Sequence, residues 1–351
     1  MTTNSVQTSA LLREALARFD VANASFRDIR SGTVNKHWRV KAGALSYVLR
    51  RYNERRSTEA IAYEHAVLRH LAGRGWPVAV PVCAPGGDTC IETEGRWYAL
   101  FPLLPGRPPP YRGLSYSRLK GHLLARLHED MDLWQTPGQR EGFGRVWELD
   151  VYVRAWSAYG TLNELLQALA KQQPELSRAI RTQKYAVLRE LSILGYGEGP
   201  PVLGHFDFNH DNMLFQRGGL SGLLDFDLVR LDERAADIAH SIALDCLAPP
   251  DYKKIDPAAV SAFVGGYTEH TPLRDAELRL IVPLTRASLL WLAVGRLAEW
   301  ASGVRQEQAL GSLQRSFSKR FPAFERRRAK LEAAVLQSQP LADDRQRPAV
   351  G

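Results

Sequence analysis

One stretch of the chain, residues 205–227, concentrates side chains that could do chemistry. It reads HFDFNHDNMLFQRGGLSGLLDFD, and His205, Asp207 and Asn212 stand in it with the spacing H-x-D-x-x-x-x-N. Asp225 follows Asn212 after a further thirteen positions. This set suits phosphoryl transfer, which needs a carboxylate near the attacking hydroxyl and oxygen ligands for Mg²⁺.

The residue types predict a role for each member of this set. Asp207 would hold and deprotonate the hydroxyl, and Asn212 and Asp225 would give a neutral and an anionic oxygen to the metal. Taken singly, Asp207 and Asn212 could be turn residues and Asp225 a strand-end cap. His205 is interpreted as a structural support of the loop backbone. The combined spacing and its apolar flanks favour the functional interpretation of the other three residues.

A β-hairpin is predicted to position the two metal-ligand candidates. Met213–Phe215 and Leu220–Leu224 are apolar runs on either side of a Gly218–Gly219 turn. Such a hairpin would place Asn212 and Asp225 near one another, at facing ends of its two strands.

The wider chain predicts an α+β fold with a small β-rich N-terminal lobe and a larger, mainly helical C-terminal lobe. A β-rich run at Ser46–Tyr52 is followed by a helix predicted over Thr58–Leu71, and most elements after Pro102–Pro110 are helical. Five of the nine residues of Pro102–Pro110 are proline, so no regular element is expected to cross that stretch. The predicted division is 1–104, 105–336 and a disordered tail over 337–351.

Composition excludes several classes of protein. Of the 351 residues, 45% are hydrophobic and 24% charged, which is ordinary globular usage. Three cysteines (Cys83, Cys90 and Cys246) cannot build a disulfide framework, so a reducing cytoplasm is the expected compartment. The most apolar stretch, Ala287–Gly295, is too short for a bilayer span of about 20 residues. The first residues lack the pattern of a secretory signal.

The net charge of +8 (46 basic against 38 acidic residues) raises an anionic partner as a possibility. Residues 315–332 contain seven basic and two acidic residues, so this one segment holds +5 of the excess. A solvated helix face is the favoured interpretation. A nucleic-acid-binding role is the alternative, although no zinc spacing or RNA-binding aromatic motif supports it.

The motifs HFDFNHDN and LLDFD resemble those of the aminoglycoside phosphotransferase, choline kinase and type II homoserine kinase superfamily, which has a protein-kinase-like fold. In that family the loop reads H-G-D-x-x-x-x-N, and a following strand ends in I-D-F or I-D-W. Phe206 replaces the family's glycine, which bears on the local backbone geometry. The resemblance covers about Ser25 to Trp300 and implies an ATP-dependent small-molecule kinase with ATP and Mg²⁺ as cofactors.

The resemblance extends to residues that would hold the phosphates and the catalytic loop. Arg50, in YVLRRY, stands where the family has a strand cation that contacts the α- and β-phosphates. Glu64 matches the helix glutamate that pairs with this cation, and Glu59 is the alternative in a shifted register. Asp237, in AADIA, resembles an aspartate that anchors the catalytic loop.

Further nucleotide contacts are implied in the N-terminal part of the chain. The stretch SGTVNK matches the family's phosphate-covering turn, so Ser31 and Thr33 are candidate phosphate contacts. Leu103 and Leu104 correspond to the hinge whose backbone binds the adenine edge. Asp227 could contact metal or substrate, or cap the strand end.

The acceptor and several alternatives stay open. A homoserine-like amino alcohol and an aminoglycoside or other antibiotic both fit, because Glu148 and Asp150 favour a cationic acceptor whereas Arg154 favours a carboxylate. A nucleotide-binding pseudokinase without catalysis is a second possibility. No membrane partner is expected, and the oligomeric state is not predicted.

Overall fold

The computed structural model describes residues 3–21, 23–29, 34–109, 113–135, 137–245, 256–303 and 305–338. The predicted phosphate contacts Ser31 and Thr33, the third cysteine Cys246 and most of the predicted disordered tail lie outside these ranges. The chain forms two compact units. The first contains the residues up to Pro109 together with Arg140–Gly142 and Asp211–Asp227, and the second contains the remainder.

The helices are α1 (Thr3–Arg18), α2 (Thr58–Gly73), α3 (Leu114–Asp132), α4 (Leu149–Trp156), α5 (Leu162–Ala170), α6 (Pro174–Ile193), α7 (Arg234–Asp245), α8 (Pro257–His270), α9 (Asp275–Ala301), α10 (Gln306–Arg315) and α11 (Phe321–Leu336). The strands are β1 (Ser25–Ile29), β2 (Lys36–Ala42), β3 (Leu45–Arg51), β4 (Ile91–Thr93), β5 (Arg96–Pro102), β6 (Val202–Gly204), β7 (Met213–Gln216), β8 (Gly219–Leu223) and β9 (Arg230–Asp232). A five-residue π-helical turn, Ser316–Arg320, joins α10 to α11.

The first unit is built on an antiparallel five-stranded sheet in the order β1-β2-β3-β5-β4. Helix α1 contributes Leu12 and Leu16 to a core cluster that also contains Trp38 and Leu49 of the sheet. Helix α2 begins where the Ser57 hydroxyl accepts a hydrogen bond from the backbone N–H of Ala60 at 3.2 Å. The predicted β-rich N-terminal lobe is confirmed.

The predicted hairpin is present as β7 and β8, with Met213 opposite Leu223. Its two turn residues are Arg217 and Gly218, one position earlier than predicted, and both have positive φ (52° and 82°). Positive φ at both turn residues matches the twist of the flanking strands. The hairpin belongs to the first compact unit, whereas the predicted division at 104/105 assigned it to the helical lobe.

Backbone hydrogen bonds fix the hairpin to the rest of the first unit. Leu223 donates its N–H to the Pro77 carbonyl at 2.9 Å, and Phe215 donates to the Arg107 carbonyl at 2.8 Å. Gly106 has a φ of +109°, and a Cβ there would lie 2.9 Å from the Phe215 carbonyl oxygen. Glycine at 106 therefore permits the segment after β5 to run against the hairpin.

The second unit is mainly helical, as predicted. Strands β6 and β9 form a short antiparallel ladder in which Gly204 pairs with Arg230. The 27-residue helix α9 is long and apolar enough to cross a membrane by length and composition. However, 78% of its most apolar window is buried inside the protein, as expected of a core helix.

Two basic side chains of the segment 315–332 form contacts within the second unit. Arg328 donates to Glu332 at 2.8 Å and also pairs with Glu190. Arg320 donates to the Ala243 carbonyl at 2.7 Å. Arg320 and Arg328 therefore have partners within the fold, and the prediction of a solvated helix face did not include these contacts.

Candidate active site

The loop that follows β6 is anchored by a buried aspartate in the second unit. Asp237 accepts hydrogen bonds from the backbone N–H groups of His205 (2.7 Å) and Phe206 (2.8 Å), and His128 Nε2 lies 2.9 Å from it. Although burial disfavours its charge, the contact with His128 and the loop amides holds the pKa of Asp237 below its ordinary value. An ionised Asp237 therefore fixes the start of the loop.

The loop itself orients Asp207. Its backbone N–H donates to His205 Nδ1 at 3.1 Å, and its Oδ1 accepts a hydrogen bond from Asn209 Nδ2 at 2.7 Å. His205 is fully buried, which fits the predicted role of a loop support. Asn209 was not singled out from the sequence, because an Asn two residues after an Asp is common in loops.

A second anchor holds the end of the loop. The backbone N–H of His210 donates to Asp245 Oδ1 at 3.2 Å, and the same carboxylate pairs with the buried Lys120. Ser241 on α7 donates to the Phe208 carbonyl at 2.5 Å. Asp237, Ser241 and Asp245 therefore hold the loop backbone at both ends.

The hairpin of the first unit carries the two candidate metal ligands. Leu224 donates its N–H to the Asn212 carbonyl at 2.9 Å, so Asn212 and Asp225 do lie at facing ends of the two strands. The Asp225 side chain is 42% exposed. An amide and a carboxylate are the oxygen donors that Mg²⁺ prefers, so these residues fit the metal.

The metal would need other ligands as well. Among the residues that the structure describes, no three His, Cys, Asp or Glu side chains form a metal-binding group. Mg²⁺ usually keeps few protein ligands and takes the remainder from water and substrate phosphates. Asn212 and Asp225 would therefore supply part of a coordination shell that phosphate and water oxygens complete.

The two aspartates after β8 have different surroundings. Asp227 is buried and pairs with Arg56 at 2.8 Å; although burial disfavours its charge, Arg56 and Arg140 lower its pKa. Partial desolvation and the neighbouring Asp227 charge raise the pKa of Asp225. The ion pair with Arg56 favours a structural role for Asp227 over a direct contact with metal or substrate, and it is a different role from the strand-end cap considered above.

The predicted cation pair is present in the first unit. Arg50 Nη1 lies 2.6 Å from Glu64 Oε1, and Glu64 is buried. Glu59 is exposed and accepts a hydrogen bond from Thr58, so the alternative register is wrong. Burial opposes the charge of Arg50, but Glu64 and the nearby Asp225 raise its pKa, so this cation stays charged. Arg50 Nη2 lies 4.0 Å from Asp225 Oδ1.

A buried arginine that the sequence did not reveal ties this pair to the hairpin. Arg140 donates to Glu64 Oε2 (3.2 Å), to the Ala60 carbonyl (2.9 Å) and to the Asp227 carbonyl (2.9 Å). Its partners lie 76 to 87 positions away in the chain, so no local pattern could identify them. Arg140 thus links helix α2 to the segment that follows the candidate metal ligand.

Replacing Arg140 by methionine is expected to destabilise the protein by about 3 kcal/mol, because it leaves several buried acceptors without a donor. Urea denaturation measures this loss. The control is Arg178→Met, since Arg178 pairs with Glu175 on an exposed helix face and should change stability by less than about 1 kcal/mol. Equal losses in the two variants would contradict the role assigned to Arg140.

The predicted hinge residues, Leu103 and Leu104, already form contacts with the sheet and the hairpin. Leu103 donates its N–H to the Ser46 carbonyl at 3.0 Å, and the Leu104 side chain lies against Gly222 of the hairpin. The candidates for binding the adenine edge are therefore the Leu103 carbonyl and the Leu104 backbone.

The charged residues that were considered as contacts for the phosphoryl acceptor have local structural partners in the second unit. Asp150 accepts from the N–H of Leu162 (2.8 Å), Glu148 accepts from the N–H of Arg145 (2.6 Å), and Arg154 donates to the Gly160 carbonyl (3.3 Å). These hydrogen bonds give the three charged side chains structural roles that need no bound substrate. Their charges therefore do not decide the class of the phosphoryl acceptor.

His240 gives the second unit a predicted sensitivity to acid. Burial lowers its pKa to about 3, and neither ring nitrogen has a hydrogen-bond partner among the described residues. Between pH 6.5 and 3 the unfolded chain binds a proton here that the folded protein does not. The free energy of unfolding should therefore fall on acidification by about 1 kcal/mol per pH unit from this group alone.

The variant His240→Phe is expected to remove that contribution and to flatten the pH dependence of stability. Urea unfolding midpoints at pH 7, 6 and 5 measure it. A slope identical to that of the wild-type protein would show that His240 is protonated in the folded state.

Taken together, the small antiparallel sheet, the helical unit and the anchored H-x-D-x-x-x-x-N loop define a phosphotransferase of protein-kinase-like fold. The chain belongs to the phosphotransferase enzyme family (APH), whose model matches residues 25–276. The superfamily resemblance inferred from the two motifs is confirmed, as is the class of ATP-dependent phosphotransferase that acts on small-molecule hydroxyl groups.

Two curated relatives are homoserine kinases. The enzyme of Phenylobacterium zucineum is 27% identical over 290 residues, covering 82% of this chain and 84% of the relative. The enzyme of Caulobacter vibrioides is 27% identical over 282 residues, covering 80% of this chain and 84% of the relative.

Two solved structures show the same fold at low sequence identity. Amicoumacin kinase hAmiN, in complex with AMP-PNP, Ca²⁺ and Ami, has a TM-score of 0.68 at 18% identity and covers 95% of this chain and 96% of its own. A microcompartment-associated aminopropanol kinase has a TM-score of 0.67 at 19% identity and covers 94% of this chain and 100% of its own.

Proposed function

We propose that this protein transfers the γ-phosphoryl group of ATP to the hydroxyl of a small amino alcohol, with homoserine as the first acceptor to test. The observation that carries this proposal is the similarity to homoserine kinases over 80% or more of this chain. The cytoplasm is the compartment that we propose for the reaction.

Asp207 is the proposed general base. Its carboxylate is half-buried and oriented by Asn209, so it can accept a hydrogen bond from the acceptor hydroxyl and take its proton as the bond to phosphorus forms. The anchored loop fixes the direction of this carboxylate, which reduces the reorganisation needed during the reaction.

The remaining roles concern the nucleotide. Asn212 and Asp225 would hold Mg²⁺, which neutralises phosphate charge when bound. Arg50, kept charged and oriented by Glu64, would contact the α- and β-phosphates, and its planar fork permits a bidentate contact. Ser31 and Thr33 stay proposed phosphate contacts, and the backbone of Leu103 and Leu104 the proposed adenine contact.

A coupled assay of ADP release, run with a panel of acceptors, tests the proposal. The panel contains homoserine, 1-amino-2-propanol, choline, a sugar and an aminoglycoside, with a reaction lacking acceptor as the blank. We expect acceptor-dependent ADP release that is highest with an amino alcohol. Release with the aminoglycoside alone would move the assignment to antibiotic modification, and binding of ATP without turnover would favour a pseudokinase.

A further inference from the structure

The residue before the proposed base has an uncommon backbone conformation. Phe206 has a φ of +56°, in the left-handed region that glycine adopts readily and that aromatic residues adopt at a cost. Phe206 stands where the related motif has glycine, so this chain keeps a glycine-like conformation with a bulky side chain. Packing contacts of Phe206 within the second unit must therefore offset the cost of this backbone conformation.

The Phe206 ring has a specific place in the structure. It is buried, and it fills the space that Gly204 leaves at the end of β6, where a Cβ would lie 2.6 Å from Phe206 Cε2. Gly204 pairs across the ladder with Arg230, whose guanidinium carbon lies 3.6 Å from the centre of the Phe206 ring. The Phe206 ring therefore packs against both Gly204 and the Arg230 guanidinium group.

Arg230 is held through the faces of aromatic rings more than through its hydrogen-bonding edges. It is fully buried; its Nη1 donates to the Leu228 carbonyl at 3.3 Å, whereas its Nε and Nη2 have no hydrogen-bond partner among the described residues. Its guanidinium carbon also lies 5.2 Å from the Trp291 ring centre and 5.6 Å from that of Tyr152. A planar cation stacks on aromatic faces, and the ammonium group of lysine cannot reproduce this contact.

We propose that Arg230 is a positioning residue that acts through Phe206. By stacking on the ring, it holds Phe206 in the left-handed conformation, and this conformation directs the next residue, Asp207. The proposal rests on the proposed role of Asp207 as general base. It predicts that the requirement for Arg230 depends on the residue at position 206.

A double-mutant cycle tests the dependence. Arg230→Met and Arg230→Lys are each expected to lower kcat about tenfold or more, with little change in the KM for ATP, because the carboxylate is misplaced. Phe206→Gly removes the ring on which Arg230 acts, so its kcat is the reference for the second half of the cycle, and losing a buried ring should lower its Tm. Adding Arg230→Met to Phe206→Gly should change kcat less than about twofold. Arg178→Met, which alters an exposed arginine of the same unit that lies outside the proposed site, is the control.

A second readout does not need catalysis. Hydrogen exchange of the amides over residues 205–209 should become faster in Arg230→Met than in the wild-type protein, but not in the double variant relative to Phe206→Gly. If Phe206→Gly does not fold, Phe206→Asn replaces it, since asparagine tolerates the left-handed region.

Three results would overturn the proposal. They are an equal loss of kcat on removing Arg230 in both backgrounds, a lower Tm with unchanged kcat in Arg230→Met, and a raised acceptor KM as the only effect. If the wild-type protein shows no turnover with any acceptor, the proposed function fails. The exchange measurement still decides whether Arg230 holds the loop.

Discussion

The variant Asp207→Asn is expected to lower kcat by a factor of about 10³ to 10⁴ while the KM for ATP changes little. The amide keeps the size of the side chain and can still contact Asn209, but it cannot take a proton from the acceptor hydroxyl. Because the loop is anchored by Asp237 and Asp245, the substitution should leave the backbone in place.

Steady-state ADP release with the best acceptor measures this effect, and isothermal titration with a non-hydrolysable ATP analogue measures nucleotide affinity. The matched control is Asp132→Asn, an exposed aspartate at the end of α3. Near-normal turnover of Asp207→Asn would show that another group is the base.

The variant Asp225→Asn is expected to lower turnover by about a thousandfold and to raise the Mg²⁺ concentration needed for half-maximal activity. Removing the anionic oxygen weakens the metal site, and several kcal/mol of charge stabilisation depend on the bound metal. Asn212→Ala removes only a neutral oxygen, so its loss should be smaller.

Mg²⁺ titrations of turnover separate these two variants from a general loss of stability. Asp88→Asn, which alters an exposed aspartate of the same unit, should behave as the wild-type protein does. Unchanged Mg²⁺ dependence in Asp225→Asn would move the metal site away from the end of β8.

The parts of the site that could be predicted from sequence are those with a local signature. Asp207, Asn212 and Asp225 lie within about twenty residues of sequence, and the Gly-rich turn between the last two specifies the hairpin that places Asn212 and Asp225 at facing strand ends. The Arg50–Glu64 pair was implied by the resemblance to the kinase superfamily, in which a strand cation pairs with a helix glutamate. Their catalytic roles stay predictions until the variants are measured.

The supporting side chains could not be predicted, because their partners are distant in sequence. Arg140 resembles any loop arginine until the fold places it between Glu64 and the Asp227 carbonyl. Arg230 follows the motif by only a few positions, yet its function depends on the left-handed conformation of Phe206, which sequence patterns do not report. Such contacts are set by packing and not by local propensity.

The most direct test of the central claim is the identity of the phosphorylated product. Incubation of the purified protein with ATP, Mg²⁺ and homoserine, followed by ³¹P NMR, should show a new phosphomonoester signal and ADP in equal amounts. The Asp207→Asn variant, measured in parallel, should show neither over the same time. Release of inorganic phosphate with no phosphomonoester from any acceptor in the panel would contradict the assignment as a small-molecule kinase.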